Sequence, residues 1–268
     1  MRERPEGRIR TMLRPAIQMT LAGVLPMLLG AAAPVSIATM PISRMDTPIW
    51  RHRFEEKQAE LKHGHVGLLW LGDSITQNWE RDGPEPWRNF VPAWQHFYGD
   101  RHAVNLGFKG DSTCHLLWRL EHGELDGIQP KAAILMIGAN NFGHIHTDAD
   151  QTYAGIRAVL DLLHRRMPET QVLLIGVLPS IRSAWVTSNT QRLNQHLAGM
   201  PALEGPWLHY VDVSAIFERN GHADPTRFLD PLLTPPDPPL HPNATTQAEL
   251  AARIEPIVAS MMGDHIHR

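Results

Sequence analysis

The sequence predicts an α/β fold, a five-stranded parallel sheet with helices on both faces, built as one sizeable domain. Three observations carry this. Short apolar runs alternate with amphipathic stretches about five times, the pattern of strand–helix–strand units joined by right-handed crossovers. The runs are nearly free of polar residues, 132–137 above all, as strands covered on both faces must be. They end at glycine, aspartate, asparagine or proline, which turn the chain.

Taken in order, 66–71 is the first strand and 87–98, mixing aromatic and polar residues, reads as a helix. Residues 103–106 form a second strand ending at Gly107, and Thr113, Leu116, Leu117 and Leu120 then stripe one face of a helix. The third strand is 132–137, followed by a helix striped by Ile156, Val159, Leu160 and Leu163. The fourth, 172–178, is closed by Pro179; Leu193 and Leu197 mark the next helix, and 208–213 is the fifth strand. Leu250, Ile254, Ile257, Val258 and Met261 stripe a last helix with Asn243 as its N-cap. The proline-rich stretch 225–242 reads as a stiff loop outside the sheet, and 264–268 as a frayed tail.

The composition excludes several classes. With 268 residues, 43% of them apolar, and a net charge of −3, the chain is globular rather than disordered. It carries no long basic stripe, which argues against a nucleic-acid partner. The single cysteine, Cys114, forbids an intrachain disulfide and reads as a small buried apolar side chain. Residues 1–40 have the layout of a secretory signal peptide: Arg2, Arg4, Arg8, Arg10 and Arg14, then an apolar stretch ending in small residues. Gln18, Thr20, Pro26 and Pro34 interrupt that stretch and favour cleavage over an uncleaved anchor, so export to a bacterial periplasm or beyond is expected. A lead segment, 41–64, then precedes the domain at 65–263.

Four clusters fall at strand ends: Gly72-Asp73-Ser74, Asn105-Leu106-Gly107 followed by Gly110-Asp111-Ser112, Gly138-Ala139-Asn140-Asn141, and the loop from Asp237 through His241 to Asn243. In a parallel sheet these share the carboxyl edge, where ligand crevices form. A strand that ends in Gly-Asp-Ser either caps a helix or delivers a nucleophilic hydroxyl; the other clusters favour the second. His241 is the base that Ser74 would need, and Asp237, four residues earlier, the carboxylate to orient it. The Ser74 and Gly107 amides and the Asn140 side chain are the candidate oxyanion donors. Asp73, Lys109 and Asn141 are candidates for lining the substrate crevice. No metal-ligand spacing completes His63-Gly64-His65 or His144-Ile145-His146, so no metal or other cofactor is expected. Trp70, Trp79, Trp87, Trp94 and Trp118 read mostly as packing.

These blocks, in this chain order, resemble those of the SGNH/GDSL hydrolase superfamily. The stretch 110–131, continued by Gly138-Ala139-Asn140-Asn141, resembles the catalytic subunits of platelet-activating-factor acetylhydrolase Ib, and the likeness runs from about Trp50 to Met262. It implies a flavodoxin-like sandwich and a serine esterase for short acyl groups. Ser74 would be the nucleophile, Gly107 and Asn140 oxyanion donors, and His241 the base. It also implies a homodimer. Two positions depart from the pattern. The family's aspartate three residues before the histidine is Pro238 here, which leaves Asp237, with Asp230 as the further carboxylate. Lys109 stands beside a position that is often glycine. The expected substrate is a small-molecule or glycan ester, an acetyl ester on an extracytoplasmic polysaccharide foremost. Acyl transfer to a sugar hydroxyl, lipid-ester hydrolysis and a non-catalytic glycan-binding role are the alternatives.

Overall fold

The computed structural model describes Met1, residues 36–84 and residues 89–268. Most of the amino-terminal segment read as a signal peptide, and Trp87, lie outside the described residues. The sheet consists of β1 (Leu68–Gly72), β2 (Ala103–Gly107), β3 (Ala132–Met136), β4 (Gln171–Ile175) and β5 (Leu208–Val211), all parallel, in the order β2-β1-β3-β4-β5. This is the doubly wound order whose connections diverge between β1 and β3, opening a crevice at the carboxyl edge there.

The described α-helices are α1 (Pro48–His63), α2 (Ser74–Gln77), α3 (Val91–Tyr98), α4 (Thr113–Arg119), α5 (Ala139–Gly143), α6 (Ala149–Arg166), α7 (Ala184–Ala198), α8 (Met200–Glu204), α9 (Ser214–Phe217) and α10 (Ala244–Met262). The alternation of side chains along each strand builds the two outer layers. Leu69 and Leu71 of β1 join the cluster containing Leu116, Ile156 and Leu193, so α4, α6 and α7 cover one face. Leu68 and Trp70 join Phe97, Phe217, Leu250 and Ile254, so α3, α9 and α10 cover the other. Trp70 and Trp79 are fully buried, and Trp118 packs on Trp50 and Phe54, so these rings are structural. A two-stranded hairpin, β6 (Glu218–Arg219) with β7 (His222–Ala223), follows β5.

Four expectations change. β4 stops at Ile175, short of residue 178, because the Asn194 side chain takes over as the hydrogen-bond partner: Val177 N–H donates to its Oδ1 at 2.9 Å and its Nδ2 donates to the Val177 carbonyl at 2.8 Å. Residues 36–40, grouped by sequence with the leader, are packed on the domain. Ala38 is fully buried, and its carbonyl accepts from Thr113 Oγ1 at 2.7 Å. The lead segment contains α1, whose Trp50 and Phe54 pack against Phe108. The tail is tied down: Arg101 donates to Asp264 at 2.8 Å and 2.9 Å while forking onto Glu255 at 2.7 Å and 2.8 Å. Cys114 is buried as expected, and burial pushes its thiol up to about 11. Among the described residues no helix is long and apolar enough to cross a membrane.

Candidate active site

β1 delivers Ser74 to the first position of α2, and Asp73 makes the turn possible. As N-cap, its Oδ1 accepts from the Ile75 amide at 2.9 Å. Ser74 N–H lies in the first turn of the helix, where backbone donors lack intrahelical acceptors. Asn105 Nδ2 donates to the Thr76 carbonyl at 2.9 Å, and Gln247 Nε2 of α10 to the Ile75 carbonyl at 3.2 Å, so β2 and α10 both hold this short helix.

Ser74 Oγ lies 2.9 Å from His241 Nε2, although the two residues are 167 positions apart. With its proton on Nδ1, the imidazole donates to Asp230 Oδ1 at 2.7 Å and accepts from Ser74 through Nε2. Asp230 Oδ2 accepts the amides of Leu240 at 2.8 Å and His241 at 2.6 Å. Burial pushes the Asp230 carboxyl up. The His241 hydrogen bond and charge and these two amides outweigh it, and the group sits below its ordinary value.

The carboxylate is therefore Asp230, not Asp237. Asp237 is exposed, and its backbone N–H donates to the Asp230 carbonyl at 3.1 Å. The reason is local pairing. Phe228 and Pro242 form an antiparallel bridge, the Leu229 amide donates to the His241 carbonyl at 2.7 Å, and the Asn243 amide donates to the Arg227 carbonyl at 3.1 Å. Residues 227–230 thus run back alongside 240–243, and the prolines between them form an excursion away from the site.

Gly107 also plays a different part from the one expected. Its amide donates to Asn105 Oδ1 at 2.8 Å and is not directed at the crevice. A Cβ there would lie 2.2 Å from Gln77 N and 2.6 Å from Thr76 C, so the missing side chain lets β2 approach α2. The loop beyond it accounts for its donors one by one. Phe108 N–H goes to the Gly72 carbonyl, Lys109 to Gln77 Oε1, Asp111 to the Phe108 carbonyl, Ser112 to His115 Nδ1 and Thr113 to Asn141 Oδ1. Within that loop, the amide of Gly110, at φ +81°, has no acceptor among the described residues.

Asn140 is the second residue of α5, which follows β3, with Nδ2 donating to the Asp111 carbonyl at 2.9 Å and reaching Asp73 Oδ2 at 3.4 Å. The amide side chain thus sits between the Ser74 turn and the Gly110 loop. Burial pushes the Asp73 carboxyl up to about 6, against the pull of the Ile75 amide and the His241 charge. Asp73 is a buried cap, not an exposed contact for substrate. Asn141 is fully buried and holds Thr113 and Thr147, so it braces α4 instead of lining the crevice. Lys109 is exposed and shares a 280 Å³ polar cavity with Ser74, Gln77, Asn78 and His241. A cavity of about 30 Å³ that Asn140 helps to line has Ile75, Phe142, Val177, Leu178 and Leu240 among its walls, with His144 and Arg182 as its charged or titratable members.

Sequence reasoning missed the ion cluster behind this loop. Asp111, Arg119 and Glu124 are fully buried. Arg119 Nε donates to Asp111 Oδ2 at 2.9 Å, another guanidinium nitrogen meets Glu124, and the group lies 3.9 Å from the centre of the Phe108 ring. Asp111 Oδ1 also accepts from Trp50 Nε1 at 2.7 Å and Arg44 Nη1 at 3.2 Å. Asp111 is thus an anchor for the loop.

A nucleophile–imidazole–carboxylate chain on a doubly wound sheet defines a serine-hydrolase type of site. The profile of the GDSL-like Lipase/Acylhydrolase family matches residues 70–248, and the chain belongs to that family. It is 32% identical over 175 residues to platelet-activating factor acetylhydrolase IB subunit alpha1 of Bos taurus, covering 65% of this chain and 68% of that protein. A GDSL-like lipase structure from Bacteroides thetaiotaomicron matches with a TM-score of 0.60 at 16% identity, covering 78% of this chain and 97% of that one. An acetyl-xylooligosaccharide esterase from Geobacillus matches with a TM-score of 0.53 at 18% identity, covering 76% and 96%. The protein is an ester hydrolase with the SGNH/GDSL fold.

Proposed function

We propose that this chain is an exported serine esterase that removes short acyl groups, acetyl foremost, from an extracytoplasmic polysaccharide. The observation that carries the mechanism is the hydrogen-bonded chain from Ser74 through His241 to Asp230. Ser74 Oγ attacks the ester carbonyl carbon while His241 Nε2 takes its proton. The ester C–O bond then breaks, the alcohol leaves with that proton, and Ser74 is acylated. Water attacks the acyl-enzyme, giving its proton to Nε2, and the acid departs as the proton returns to Oγ. Asp230 keeps the proton on Nδ1 and stabilises the imidazolium.

The amides of Ser74 and Gly110 and the Asn140 side chain hold the oxyanion. Gly110 takes the place first given to Gly107. The weak 3.4 Å contact to Asp73 leaves one Asn140 hydrogen free to turn to it. The small cavity beside Asn140, about 30 Å³, supports a short acyl group over a lipid chain. The polar cavity around Lys109 takes the alcohol. The basic start and apolar stretch of residues 1–35 support export, and the likeness to an acetyl-xylooligosaccharide esterase supports a glycan as the ester's carrier.

The test is Ser74→Ala, with p-nitrophenyl acetate as substrate and circular dichroism as the check on folding. Turnover should vanish with the fold intact; undiminished turnover would refute the assignment.

A further inference from the structure

A second cavity lies on the same rim, outside the catalytic centre. It measures about 720 Å³ and sits past the ends of β4 and β5, between α7 and the β6–β7 hairpin. That volume falls within the range of small-ligand sites. Its lining mixes apolar side chains with hydrogen-bonding ones. α7 contributes Thr187, Thr190, Gln191 and Gln195, and the opposite wall Asp212 and Glu218, with no lysine or arginine. Gln191 and Gln195 stand one helical turn apart, exposed, with their side-chain amides unpaired among the described residues. Thr190 is only 4% exposed, yet its hydroxyl has no hydrogen-bond partner among the described residues. A buried hydroxyl left unpaired is unfavourable, and a ligand that brings a hydrogen-bonding group to it would relieve this. Thr190, Pro179 and Ser180 wall both this cavity and the small one beside Asn140, so the two are neighbours.

Amides and hydroxyls that both donate and accept suit a ligand dense in hydroxyls. The Asp212 and Glu218 carboxylates disfavour an anion, and Ile181, Ala198 and Tyr210 add apolar surface against which the faces of sugar rings can lie. We propose that this cavity is a secondary binding site for a neutral carbohydrate chain, holding the polymer beside the catalytic centre. This goes beyond the esterase reading, since the site binds unacetylated sugar and uses no catalytic residue.

The test is calorimetric titration of the full chain with xylotetraose and cellotetraose, and with tetragalacturonate as the anionic counterpart. The same titrations use Ser74→Ala and the double variant Gln191→Ala/Gln195→Ala, whose altered residues are exposed on a helix. A neutral tetrasaccharide should bind with a Kd of about 1 mM or tighter. Binding should be unchanged in Ser74→Ala and about tenfold weaker in the double variant. The double variant should turn over p-nitrophenyl acetate at the unaltered rate, and tetragalacturonate should bind at least about tenfold more weakly. The site is overturned if neither neutral sugar binds, if the double variant binds as the parent does, or if the anionic sugar binds equally well. Failure of the esterase reading shows separately, as turnover that survives Ser74→Ala.

Discussion

Replacing Asp230 by Asn separates this site from the one that spacing alone suggests. The side chain keeps its shape, but its partners are all donors: His241 Nδ1 at 2.7 Å and the amides of Leu240 and His241 at 2.8 Å and 2.6 Å. An asparagine must turn its NH₂ toward one of these sets. Facing the ring, it forces the proton onto Nε2, which then cannot accept from Ser74. Facing the backbone, it opposes two N–H groups in a nearly buried position. The charge that stabilises the imidazolium is lost either way. A charged hydrogen bond contributes about 1.5–3 kcal/mol, and the wrong tautomer adds to its loss. A rise of about 3–5 kcal/mol in the barrier lowers kcat by about 10²–10⁴. Steady-state hydrolysis of p-nitrophenyl acetate measures it, with thermal melting as the check on folding. Asp237→Asn is the control: its exposed side chain should leave kcat within about twofold of the parent, as surface changes usually do. A large loss in Asp237→Asn, with Asp230→Asn near parental activity, would sink the reasoning.

Three further outcomes follow from the packing. Gly107→Ala places a Cβ 2.2 Å from Gln77 N, so backbone must move, and urea denaturation should show a loss of about 1–3 kcal/mol; an unchanged midpoint would refute the close approach. Asp73, at 3.8 unfolded and about 6 folded, favours the protonated folded form. Its contribution is fully present only below the unfolded value and is lost as pH rises through about 6, so parent stability relative to Asp73→Asn should fall by about 2 kcal/mol between pH 4 and pH 7 in denaturant titrations; a pH-independent difference would contradict the raised value. Arg119→Met strips the partner from buried Asp111 and Glu124 and should destabilise by about 3–5 kcal/mol, read from the same titrations.

The sheet could be read from sequence because its strands are buried on both sides, which leaves apolar runs that hardly any other element produces. Their ends were harder. In β4 the run continues through Val177 and Leu178, but Asn194 of α7 pairs with Val177, and no local property of 172–178 encodes a partner seventeen residues on. Ser74 and Asn140 were legible because each follows a strand whose direction the pattern fixes, and His241 because it lies just before the striped last helix. Gly107 misled because a glycine at a strand exit fits two uses, close packing and a free amide. Asn105, two residues before it, was the available signal, since asparagine side chains commonly bind the backbone amide two positions later.

Asp230 was out of reach of spacing for a related reason. A carboxylate is counted back from its histidine on the premise that the chain between them is a tight turn. Here the segment carries Pro231, Pro235, Pro236, Pro238 and Pro239, none of which can donate a backbone hydrogen bond. The pairing resumes where N–H groups return, with Leu229 donating to the His241 carbonyl and Asn243 donating to that of Arg227. Prolines thus lengthen the excursion without moving its two ends, and the carboxylate at the near end stays opposite the imidazole at the far one. The same logic explains why the catalytic geometry tolerates an exposed Asp237: it lies on the excursion, where its side chain is held to nothing the site requires.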